Sequence, residues 1–187
     1  KQETVQNLKT TQTQLEQLLL DQAMNKPNTQ SPTEYMEQWL DEINWKFSLW
    51  DCEAKRPDGF GDETFQGNCS PTIIYALLKR YSTTNDKLIF DPMAGSGTFI
   101  DVARAMGYDE TQILARDIKP MRNDIKLGDA AKTDLPDNTV NFIFSHYPYW
   151  RLIEYSNDPN DLSKIDYNLF LVKVEKIFVE MHRILQK

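Results

Sequence analysis

A chain of 187 residues is the length of one ordinary domain with an appendage, enough to bury a core. At 40% hydrophobic and 26% charged residues it reads as globular; no apolar run reaches bilayer length, and residues 1–17 lack the apolar centre of a signal peptide, so a cytoplasmic location without a membrane partner is expected. The net charge of −7 excludes a broad phosphate-binding face, leaving a small basic groove or basic surface lent by a partner. Cys52 and Cys69 form no Cys-x-x-Cys pair and have no His cluster around them, so two free thiols and no metal site are expected.

Residues 1–23 are rich in Gln and Thr, with Val5, Leu8, Leu15, Leu18 and Leu19 at helical steps; they predict an amphipathic helix that packs on the main domain or docks on a partner. Pro27 breaks the pattern. Ser31, Pro32 and Glu34 have the form of a capping box opening a helix that carries Met36, Leu40, Ile43 and Phe47. Turn chemistry over residues 56–62 predicts a boundary, with an N-terminal helical extension over 1–63 and the main domain over 64–187. Ile73 to Tyr81 carry a helical pattern. Residues 87–90 form a short apolar run typical of a buried strand, residues 98–106 a helix ending at Gly107. Further strands are expected at 112–115, 125–127 and 140–144, and a long amphipathic helix at 167–185. Strands alternating with helices predict an α/β fold with a parallel sheet.

The first chemical motif is Asp91-Pro92-Met93-Ala94-Gly95-Ser96-Gly97-Thr98, between a strand and a helix. Two glycines one residue apart let the backbone turn sharply and approach a ligand, and the helix points its N-terminus there. A P-loop needs Gly-Lys-Ser/Thr, which is absent, and Ile100 stands where the dinucleotide fingerprint needs its third small residue. An acid leading a Gly-x-Gly turn suits a ligand with an ammonium group and no pyrophosphate, such as S-adenosylmethionine. The second motif, Ser145-His146-Tyr147-Pro148-Tyr149-Trp150, follows the 140–144 strand.

Together the two motifs resemble those of class I S-adenosylmethionine-dependent methyltransferases, most closely the enzymes that methylate exocyclic amino groups of DNA. The second is similar to their (Asp/Asn/Ser)-Pro-Pro-(Tyr/Phe/Trp) catalytic loop. The resemblance spans about Phe65 to Lys187 and implies a Rossmann-like sheet, a DNA substrate, and S-adenosylmethionine leaving as S-adenosylhomocysteine. An exocyclic amine is a weak nucleophile because its lone pair is delocalised into the ring. Two acceptors for its hydrogens favour a pyramidal nitrogen, a proline stiffens the loop, and an aromatic ring stacks on a base drawn out of the duplex. Here His146 takes the acceptor position, the Tyr147 carbonyl is the second acceptor, Pro148 is the stiffener and Tyr149 the platform. His replaces the usual Asp, Asn or Ser and Tyr147 the first Pro; a register shift of one would make Ser145 the acceptor. Neutral His accepts on one nitrogen and protonated His on none, so activity is expected to fall as pH drops through about 6.5.

The resemblance also implies cofactor contacts from Asp91, Pro92, Met93, Ala94, Gly95, Gly97 and Thr98, from Asp117 and Ile118 near the ribose, and from Asp129 and Ala130 near adenine. It adds Asn68 and Ser70 over the methionine end. Seven strands belong to the full sheet of that class, against about four here, so a missing segment or a second chain is expected to complete it, since bare edges are normally covered. RNA bases or a protein glutamine amide are alternative substrates, and a non-catalytic subunit of a complex is the alternative outside enzymes. Neither cysteine lies in the catalytic loop, which argues against covalent cytosine-C5 chemistry.

Overall fold

Four short runs form strands: β1 (Ile89–Asp91), β2 (Ile113–Asp117), β3 (Lys126–Leu127) and β4 (Phe142–Ile143). They pair side by side, all parallel, in the order β3-β2-β1-β4. The helices are α1 (Pro32–Ile43), α2 (Pro71–Tyr81), α3 (Thr98–Ala105) and α4 (Tyr167–Ile184). This computed structural model describes residues 31–43, 59–62, 64–159 and 161–187. The helix expected over 1–23, the break after it, Phe47, Cys52 and residues 56–58 of the expected boundary turn lie outside them.

Successive residues of β1 face opposite sides, as the pleat requires. Ile89 joins a core built with Met36, Leu40, Leu78, Phe99 and Phe144; Phe90 joins another with Val140, Leu162, Ile177 and Ile184. Thus α1, α2 and α3 supply one layer and α4 the other. β1 is buried along its whole length, which explains why Ile89 and Phe90 are both apolar rather than alternating with a polar residue. The fold is therefore an α/β, Rossmann-like arrangement: a parallel sheet between helices.

Strand limits differ from the sequence expectation for identifiable reasons. Lys87 and Leu88 donate their backbone N–H groups to the Asn141 side chain, at 3.0 and 3.1 Å, so β1 starts two residues late. β2 runs on to Asp117 because Arg116 and Asp117 pair with Lys126 and Leu127. Val140 pairs outward instead, in a parallel bridge with Leu185, and the Gln186 N–H donates to its carbonyl at 2.8 Å. Beyond that bridge the outer edge of β4 has no strand partner among the described residues, and α4 leaves Phe178 60% and Val179 65% exposed. No helix among the described residues is long and apolar enough to cross a membrane.

Residues Pro32–Lys187 form one compact unit, so α1 lies within it, on the N-terminal side of the boundary expected at residue 63. Met36 and Leu40 are fully buried against the layer that carries the glycine turn. Leu40→Ala should lower unfolding free energy by about 2–5 kcal/mol, the usual cost of emptying such a site. Urea denaturation at unchanged slope would measure it; a loss below about 1 kcal/mol would show that α1 contributes little to this core.

Candidate functional site

The strand order reverses between β1 and β4, and in open parallel sheets ligands bind at that point, beyond the carboxyl ends of the strands. A cavity of about 310 Å³ lies there. Its wall takes residues 91–96 and Thr98 from the turn after β1, and 117–119 from the loop after β2. It takes 129–131 from after β3 and 146–148 from after β4. The two sequence motifs, some 50 residues apart, therefore meet on one surface.

The turn after β1 is shaped by its glycines. Gly95 has φ +51° and Gly97 φ +87°, where side chains are strained. A Cβ on Gly97 would also stand 2.6 Å from the Arg122 guanidinium. Asp117 holds this turn: one carboxylate oxygen accepts the Gly95 N–H at 2.9 Å, the other the Lys119 N–H at 2.8 Å. Asp117, Ile118, Asp129 and Ala130 all line the cavity. The Asp129 carboxylate also accepts the Ala131 N–H at 2.8 Å, a short turn of the kind Asp favours.

Asp91 is 3% exposed, and one of its oxygens accepts the Met93 N–H at 3.0 Å. Burial, assisted by the nearby Asp117 charge and opposed by the Met93 hydrogen bond, pushes its carboxyl up to about 8. Asp117 is itself raised by burial, with the Asp161 charge adding to the effect. Asp161, also buried, behaves oppositely: burial raises it, but hydrogen bonds from the N–H and Oγ of both Ser163 and Ser156 bring it below the ordinary range. Four carboxylates, Asp91, Asp117, Asp129 and Asp161, thus line one cavity beside Lys119, Lys173 and Lys176, and burial raises the first two.

On the opposite wall, burial lowers the pKa of His146. Its Nε2 lies 3.2 Å from the Tyr149 hydroxyl, with the rings edge to face. Tyr149 is 42% exposed and does not line the cavity, whereas His146, Tyr147 and Pro148 do. The Tyr147 ring stacks on Phe178 of α4. Ser145 is off the wall, its hydroxyl buried without a partner, so the cavity is reached in the register that presents His146.

Asn68 lines the cavity and accepts a 2.6 Å hydrogen bond from the Thr98 hydroxyl. Ser70 lies outside the wall, its hydroxyl paired with Thr72 at 2.7 Å ahead of α2. Gly97 is likewise off the wall, under Arg122. Cys69, which is in no disulfide, lies on the wall. No group of three or more His, Cys, Asp or Glu side chains among the described residues is arranged to hold a metal ion.

Several wall residues escaped sequence reasoning. Phe65 packs its ring edge on Gly95 and meets Tyr155 at 5.8 Å. Asp161 carried a faint local signal, a Ser two residues after an Asp. Lys173 and Lys176 reach the cavity from α4 with no signal beyond helical spacing. Arg122, behind the wall, had none: it grips Asp101 with two nitrogens, at 2.7 and 2.9 Å, and touches the Ser96 carbonyl at 3.3 Å. No protein-family model matches the chain, and a search of curated proteins finds no match.

The Asp91 shift sets a stability window. The unfolded chain releases this proton near 3.8 and the folded chain only near 8, so the group's stabilisation is complete below 3.8 and is lost as pH rises to about 8. Asp91→Asn, which does not titrate, should therefore gain in melting temperature relative to the unsubstituted protein across that window. A constant difference between the two at every pH would show that Asp91 is an ordinary ionised acid.

Proposed function

We propose that this chain binds S-adenosylmethionine and transfers its methyl group to the exocyclic amino nitrogen of adenine or cytosine in DNA. The observation that carries the reading is the meeting of the Asp91–Thr98 turn and the His146–Pro148 loop on one cavity at the β1/β4 reversal. The residues present fit the cofactor. Asp91 and Asp117 are desolvated acids that an ammonium would relieve, and the buried Ser96 hydroxyl on the wall lacks a partner. The volume lies within the range of small-molecule pockets.

When bound, S-adenosylmethionine supplies an electrophilic methyl group on sulfur and leaves as S-adenosylhomocysteine. In this reading Asp91 holds the positively charged methionyl end. Asp117 keeps the glycine turn in shape and offers its remaining lone pairs to ribose hydroxyls beside Ile118, while Asp129 and Ala130 lie near the adenine. His146 and the Tyr147 carbonyl accept the two hydrogens of the target amine, and Pro148 limits the motion of the loop. Catalysis then rests on orientation and hydrogen bonding. Lys119, Lys173 and Lys176 on the wall supply local positive charge to a chain that is acidic overall, which suits a polyanionic substrate.

Labelled methyl from S-adenosylmethionine, offered with duplex DNA and structured RNA in parallel, tests the reading. DNA should be labelled, and Asp91→Ala and His146→Ala should each cut transfer by about 100-fold or more. Label confined to RNA would move the substrate, and label in neither would refute transfer to nucleic acid by this chain.

Acidity gives a second check. Because burial lowers the His146 pKa, neutral His146 persists below 6.5, and transfer should decline only as pH falls further. In His146→Asn, whose acceptor does not titrate, that acid limb should disappear; an unchanged limb would assign it to another group.

A further inference from the structure

A histidine that accepts a hydrogen bond from substrate must keep one ring nitrogen bare, and which one is bare is set by the partner of the other. His146 has a single hydrogen-bond partner among the described residues, the Tyr149 hydroxyl on Nε2. Nδ1 has none, and the side chain is part of the cavity wall. Two neutral arrangements satisfy the contact. In one, Tyr149 donates to Nε2 and Nδ1 carries the proton, which leaves the cavity facing a donor. In the other, Nε2–H donates to the phenol oxygen and Nδ1 is bare.

Tyr149 can take either part, because a phenol oxygen both donates and accepts. At 42% exposure, it can pass its own proton to water while receiving the imidazole N–H. The edge-to-face packing of the rings, 5.4 Å between centroids, keeps the hydroxyl at Nε2. Its ring, by contrast, is off the cavity wall, so this geometry serves His146 more directly than it serves a stacked base.

We propose that Tyr149 is a positioning residue: it accepts the Nε2–H of His146 and so fixes the tautomer in which bare Nδ1 is the acceptor for the amino hydrogen. The inference rests on the methyl-transfer reading for its purpose, but its physical content, the tautomer, is a property of the protein alone.

Nitrogen-15 NMR of the imidazole rings at pH 8, without cofactor or substrate, reads that property. The chain has only two histidines, and His182→Gln leaves the His146 signals alone. The result expected is a protonated-type shift at Nε2 and a bare-type shift at Nδ1. The reverse pattern, or averaged shifts at both nitrogens, would overturn the proposal. Tyr149→Phe keeps the ring and removes the hydroxyl; it should move both shifts toward the averaged position and lower the maximal transfer rate about tenfold, the value of one ordinary hydrogen bond, with little change in substrate KM. Unmoved shifts in that variant would also overturn it. If the tautomer is as expected and no methyl is transferred to any nucleic acid, the methyl-transfer reading fails and only the tautomer fixed by Tyr149 stands.

Discussion

The arrangement of the site depends on where β1 puts a carboxylate. Ile89 and Phe90 drive the strand into the interior, one toward each helical layer, and Asp91 follows them in at the strand's end. An acid so placed is costly unless it is neutral or meets a cation. Burial, opposed by a single backbone N–H and aided by a second acid nearby, holds the proton on until about pH 8. Desolvation of this kind, at the bottom of a cavity, is an arrangement that a positively charged ligand relieves.

Around that carboxylate, the loops are held by two networks, one of them wholly off the cavity wall. Asp101, in the first turn of α3, receives both terminal nitrogens of Arg122 and also the Gly61 N–H at 2.8 Å. Arg122 in turn reaches Asp124, which also receives Arg104 at 2.8 Å. The glycine turn, the loop between β2 and β3, and the segment that carries Phe65 and Asn68 are thereby tied through one ion network. Asp161, itself on the wall, orders the other side: its two oxygens take the backbone and hydroxyl groups of Ser156 and Ser163, and so shape the segment that follows the His146–Pro148 loop. Both networks fix the loops without a ligand, which is how a site is made ready before anything binds.

Local sequence made the backbone of this fold legible, because its signals are local. The apolar run at Leu88 to Phe90, the Gly-x-Gly turn and the spacing of Phe170, Ile177 and Ile184 each act within a few residues. The strand limits were less legible because a side chain 53 residues away, Asn141, takes the N–H of Leu88 that a longer ladder would have used. The same distance hid half of the cavity wall. Phe65 acquires its place there only when Gly95 lies under it, and Arg122, behind the wall, acquires its own only when Asp101 comes round on α3. Tyr149 illustrates a finer difficulty. Its residue type suggested a stacking platform, whereas the geometry gives its hydroxyl to His146, a relation that depends on side-chain torsions and not on spacing.

The most direct measurement is calorimetric titration of S-adenosylhomocysteine into the protein at pH 7, repeated in two buffers with different ionisation heats. Docking of the ligand's ammonium against Asp91 should drive off the proton that burial retains there. Binding is therefore expected with release of about one proton, seen as a buffer-dependent heat that is absent in Asp91→Asn. Absence of binding, or binding whose heat is the same in both buffers, would contradict the assignment of Asp91 as the desolvated acid on which a cationic cofactor is seated.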